Sequence, residues 1–186
     1  MYRSSFFVVS VVPSWLIFLQ IIQTMLIYII RHAYAYEHGD PRWPDDSKRP
    51  LEAEGASRFQ QMVEQLAKRG FEPAVIATSP YVRCRQTADI VAGYTPCQPK
   101  VVELPALTPG SDLDELIEWS EAQRAESIAW VGHAPDVNHL AAALIGEGDA
   151  NLRFSKGAVA AIRIHGQLAA GRGELQWLVT AKVLGA

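Results

Sequence analysis

A chain of 186 residues with 49% hydrophobic and 20% charged residues has the balance of one ordinary globular domain, long enough to bury roughly two-thirds of its unfolded surface. A formal charge of −3 gives no overall basic field, so nucleic acid is not an expected partner and any anion site must be a local pocket. The two cysteines, Cys84 and Cys97, form neither a CxxC motif nor a Cys/His cluster at metal spacing, and read as structural thiols of a reduced, cytoplasmic protein without a metal or cofactor.

The first residues are uncharged from Ser4 to Ile22 and follow Arg3. Residues 1–24 read as an apolar extension outside a functional domain that spans 25–186; a membrane segment and a cleaved leader are the competing readings. Pro13 interrupts the run, no small-x-small cleavage site precedes Met25, and the linker Gln23-Thr24-Met25 reaches only about 10 Å when extended. Leu26-Ile27-Tyr28-Ile29-Ile30 then predicts a strand covered on both faces, as in a parallel sheet, and Arg31-His32 stands at its carboxyl end, where such sheets collect ligands. Tyr34 to Pro50 is polar and rich in loop residues, a loop over the site.

Phe59, Met62, Val63 and Leu66 recur at helical spacing before Lys68-Arg69-Gly70, a helix stop. Ala74–Thr78 predicts a second buried strand, and Ser79-Pro80 opens a helix running through Arg83, Thr87, Ile90 and Val91, with Ser79 as its cap. Asp112–Ile117 begins another helix with acids suited to the dipole. Ser127–Val131 is strand-like, Gly132-His133 ends it, and Pro135 opens a helix with Val137, Leu140, Ala141 and Leu144 facing inward. Ala158–Ile164 and Leu175–Val179 read as two closing strands joined by a Gly-rich turn. Three strand ends therefore bring Arg31, His32, Arg83 and His133 to one edge of the sheet. Two guanidinium groups and two imidazoles around one pocket are costly unless an anion such as phosphate neutralises them.

Arg31-His32-Ala33, Ser79-Pro80-Tyr81-Val82-Arg83-Cys84-Arg85-Gln86-Thr87 and Gly132-His133-Ala134-Pro135 resemble the histidine phosphatase superfamily, most closely its short SixA-type phosphohistidine phosphatase branch; Arg49-Pro50-Leu51 followed by Gly55 also resembles that branch. The likeness runs from Met25 to the C-terminus. It implies an α/β, phosphoglycerate-mutase-like three-layer fold, with a mostly parallel central sheet and helices on both faces. It also implies that His32 is the nucleophile, Arg31 and Arg83 bind phosphate, and His133 is the second pocket histidine. Ala33 replaces the commoner glycine, and Ala106 lies where some relatives carry glutamate, so an acid role there is absent.

The expected activity is metal-independent hydrolysis of a phosphohistidine-bearing protein through a phosphohistidine enzyme, because imidazole leaves without the strong general acid that an alkoxide needs. Glu37, Asp40, Asp45, Asp46 and Glu103 are the candidate proton donors. A small-molecule phosphomonoesterase and a noncatalytic phosphoprotein-binding module are the alternatives. No membrane partner is expected unless residues 1–24 are translated and inserted.

Overall fold

A computed structural model describes residues 24–185. The strand expected from Leu26 is longer: β1 spans Thr24–Arg31 and so takes in the last residue of the extension read as 1–24, whose residues 1–23 lie outside the described residues. After a polar loop whose one regular piece is a 3-10 turn at Asp46–Lys48, the chain forms α1 (Ala53–Ala67), β2 (Val75–Thr78), α2 (Val82–Tyr94) and β3 (Lys100–Glu103). A second 3-10 turn at Pro105–Leu107 leads to α3 (Leu113–Gln123), β4 (Ser127–Gly132) and α4 (Asp136–Ile145). β5 (Val159–His165), β6 (Gly173–Val179) and a single-turn α5 (Ala181–Leu184) complete the domain.

The six strands form one sheet in the order β3-β2-β4-β1-β5-β6. β3, β2, β4 and β1 run parallel, and the β5–β6 hairpin adds antiparallel to the free edge of β1. Alternation along the central strands sends Ile27, Ile29, Ile128 and Trp130 to one face, where Leu116 of α3 and Val137, Leu140 and Leu144 of α4 cover them. Tyr28, Ile30, Ala129 and Val131 face the other side, under Phe59, Met62, Val63 and Leu66 of α1 and Ala88 and Val91 of α2. Because both faces are covered, β1 and β4 read as unbroken apolar runs rather than alternating ones.

β3 was not legible in the sequence: it is a short edge strand with only Val101 and Val102, both half-buried, between exposed Lys100 and Glu103. The start of α2 also differs from expectation. Its first helical residue is Val82 and its cap position is Tyr81, which makes no side-chain cap hydrogen bond. Ser79 stands two residues earlier, where its Oγ accepts from Tyr81 N–H at 3.4 Å without being the cap position.

Register places the site. Arg31 lies opposite Gly132 in the β1–β4 ladder, and Thr78 lies opposite Val131 in the β2–β4 ladder. The next residue of each strand, His32, His133 and Ser79, therefore emerges at the same edge, beside the amino end of α2 that carries Arg83.

Candidate active site

The edge of the sheet brings all four expected site residues together. His32, Arg83 and His133 are buried, at 6%, 4% and 4% exposure, which makes their hydrogen bonds decide which atoms are free for chemistry. The His32 and His133 rings meet edge to face, with centroids 5.5 Å apart.

His32 Nδ1 lies 2.8 Å from the carbonyl oxygen of Ala33. A carbonyl can only accept, so Nδ1 carries the proton in the neutral ring and the lone pair resides on Nε2. Burial pushes this imidazole down to about 3; the hydrogen bond to Ala33 opposes the shift, while the charges of Arg83, His133 and Arg31 add to it. The ring is neutral at physiological pH. Its backbone is held on both sides, because His32 N–H donates to Gly132 O at 3.0 Å and His32 O accepts from Gly157 N–H, also at 3.0 Å. Gly157 has φ +75°, a conformation that side chains rarely adopt.

His133 obeys the same logic with the opposite tautomer. Arg83 Nη2 stands 3.2 Å from His133 Nδ1. A guanidinium only donates, so Nδ1 accepts and the proton sits on Nε2, which donates to Ser79 Oγ at 2.9 Å. Burial, then the Arg83 charge, brings His133 down to about 4, with Asp46 opposing and Arg49 and Arg31 assisting. Cys84 Sγ lies 3.5 Å from His133 Nε2, but burial pushes the thiol up to about 12, so it is no competing thiolate.

Arg83 is clamped from three directions. Its Nη2 pairs with Asp46 Oδ2 at 3.0 Å, its Nη1 donates to the Asp46 carbonyl at 2.8 Å, and its guanidinium lies 4.9 Å from the centre of the Tyr81 ring. Thr87 ties this arginine to the nucleophile strand: its hydroxyl donates to Arg83 O at 2.6 Å and accepts from Ala33 N–H at 3.1 Å. Arg31 is only half-buried; its Nη1 donates to Phe154 O at 2.7 Å. The Nε–H groups of Arg31 and Arg83 are buried without an acceptor among the described residues.

The proton-donor candidates divide by position. Asp46 is the carboxylate that reaches the pocket, yet it cannot act as an acid in this arrangement. Desolvation opposes its ionisation, but hydrogen bonds from Arg49 and His38 and the charges of Arg83 and Arg49 outweigh it and hold the carboxyl well below the usual carboxylate range. Asp40 is taken by exposed Arg42, Asp45 caps Ser47, and Glu103 pairs with Arg85. Sequence reasoning missed Asp46 as the partner of Arg83 and saw Ser79 only at the helix entrance, where its Oγ accepts from Tyr81 N–H at 3.4 Å, and not as the partner of His133. Arg49, noticed only through its Arg-Pro-Leu context, is buried between Asp46 Oδ1 at 2.8 Å and Tyr36 O at 2.6 Å. Among the described residues no group of three His, Cys, Asp or Glu side chains could hold a metal ion.

This geometry can receive a phosphoryl dianion against two guanidinium groups, with an unprotonated imidazole nitrogen beside it. Comparison with known proteins agrees. The family profile of the histidine phosphatase superfamily (branch 1) matches residues 27–136. An uncharacterised protein of Picosynechococcus is 30% identical over 143 residues, covering 75% of this chain and 85% of its own. The phosphohistidine phosphatase SixA of Escherichia coli is 28% identical over 156 residues, covering 82% of this chain and 92% of its own. The structure of SixA complexed with tungstate superposes with a TM-score of 0.75 at 26% identity, covering 86% of this chain and 99% of that one.

Proposed function

The chain belongs to the histidine phosphatase superfamily and is a phosphatase, and we propose that it hydrolyses phosphohistidine on a protein through a covalent intermediate on His32. The observation that carries the substrate choice is the state of Asp46: the carboxylate at the pocket is ionised and locked to Arg83 and Arg49, so it has no proton to give a leaving alkoxide. A phosphomonoester would suffer from that lack, whereas phosphohistidine expels an imidazole, a far better leaving group once its other nitrogen is protonated. The similar SixA, a phosphohistidine phosphatase, supports the same substrate class.

In the first step the His32 Nε2 lone pair attacks phosphorus in line. The P–N bond of the substrate breaks, and its electron pair returns to the departing imidazole. Arg31, Arg83 and His133 Nε2–H, the last turning from Ser79, stabilise the equatorial oxygens of a loose transition state. Nδ1–H keeps its bond to Ala33 O throughout, so the positive charge that forms on the phosphorylated His32 ring is spread towards a carbonyl dipole. In the second step water attacks phosphorus, the N–P electrons return to His32 Nε2, and the proton of water leaves with inorganic phosphate. Binding of an oxyanion also fits the tungstate complex of SixA.

The test is one preparation assayed on phosphohistidine protein, phosphoserine protein and small phosphomonoesters. A kcat/KM for phosphohistidine at least about a hundredfold above the others is expected from the leaving-group difference. Preference for a small phosphomonoester would overturn the assignment in favour of a small-molecule phosphatase.

A further inference from the structure

An open cleft of about 520 Å³ adjoins Arg31, and neither Asp46 nor Arg83 is among its lining residues. Its lining includes Arg31, Arg153 and Lys156 and no carboxylate, although the whole chain is net acidic. Among the described residues Arg153 and Lys156 are in no ion pair. The segment that carries them is fixed to the reaction centre rather than loosely nearby: Phe154 O accepts from Arg31 Nη1, Gly157 N–H donates to His32 O, and Arg31 N–H donates to Ala158 O. Lys156 Nζ lies 5.1 Å from the centre of the Tyr34 ring, which is itself 43% exposed and forms part of the cleft wall. Cations gathered on a segment anchored to His32 create a local positive field beside the reaction centre.

We propose that this cleft is a second anion-recognising subsite, which takes acidic side chains flanking the phosphohistidine of a protein substrate; the inference rests on the phosphohistidine reading above. The phosphoryl group is already served by Arg31, Arg83 and the two histidines. Arg153 and Lys156 therefore meet whatever extends from it. The cleft is far larger than a phosphoryl group and open to solvent, and its cations are set beside the exposed ring of Tyr34, a mixture suited to a peptide running past the site. An Asp or Glu carboxylate is the peptide group that complements unpaired cations, and it acts chiefly on association and KM.

The test compares phosphohistidine peptides of identical length with acidic, neutral or basic flanks, using the full chain and its Arg153→Gln/Lys156→Gln double variant. Phosphoramidate, a P–N substrate without flanks, is the internal control. The wild type is expected to favour the acidic over the neutral peptide by about tenfold at low salt, mostly through KM, with the advantage shrinking as salt rises. The double variant is expected to lose that preference to within about twofold while hydrolysing phosphoramidate at the wild-type rate. Hydrolysis of all three peptides at equal kcat/KM by the wild type, or an equal loss on peptides and phosphoramidate in the double variant, overturns the subsite alone. Turnover of phosphomonoesters with none of the P–N substrates overturns the phosphohistidine reading and the subsite with it.

Discussion

Mild acid is expected to unfold this protein well above the pH at which its two pocket histidines titrate in the native state. In the unfolded chain both imidazoles have a pKa near 6.5, whereas burial brings His32 to about 3 and His133 to about 4. Between those values the unfolded state binds more protons than the folded state, so stability rises with pH; it is fully present above about pH 6.5 and is lost as pH falls towards the folded values. From about pH 7.5 to about pH 4.5 each ring loses roughly two pK units of differential protonation, on the order of 5 kcal/mol for the pair, comparable to the whole stability of many domains. Urea titrations at several pH values measure this directly. His32→Gln, neutral and similar in size, should remove about half of the acid loss, and added tungstate should offset it by favouring the charged rings. A stability curve that stays flat over that range, or an unchanged slope in His32→Gln, would refute the assignment of two buried neutral imidazoles.

Three further outcomes follow from the geometry. Arg83→Ala removes the donor to His133 Nδ1 and a guanidinium at the phosphoryl pocket, and kcat/KM is expected to fall by about a hundredfold or more while urea stability shows a folded protein; wild-type rates would remove Arg83 from the site. In Gly55→Ala the new Cβ would lie 2.5 Å from Tyr34 Cβ and 2.6 Å from Tyr34 O, a backbone collision expected to cost about 1–3 kcal/mol by urea unfolding, and an unchanged midpoint would contradict the packing. Activity is expected to survive EDTA, because guanidinium groups supply the positive charge at the phosphoryl oxygens; loss restored by Mg²⁺ or Zn²⁺ would point to another mechanism.

The central strands and the four principal pocket residues were legible in the sequence because each leaves a strong local signal. Ile27 to Ile30 and Ile128 to Val131 are unbroken apolar runs, as a doubly covered sheet demands; the first is followed at once by Arg31-His32 and the second, after Gly132, by His133. β3 left no such signal, since an edge strand needs only two apolar residues and tolerates charge at both ends. Ser79 was read incompletely for a physical reason: Ser-Pro is a good helix opening, and its Oγ does accept from Tyr81 N–H before α2, but only the β2–β4 register shows that the same hydroxyl meets His133. Asp46 was one of five candidate acids of similar sequence character. What distinguishes it is the path of the loop, which lays its carboxylate between Arg49 and Arg83, and no periodicity encodes that path.

The central claim is a phosphoryl group carried on His32, and rapid quenching after mixing with phosphohistidine labelled at phosphorus tests it most directly. The expected label is protein-bound, stable to alkali and released by mild acid, as an N–P bond requires, and it maps to the peptide containing His32 and is absent from His32→Ala. An acid-stable label on a hydroxyl side chain, or undiminished turnover by His32→Ala, would contradict it.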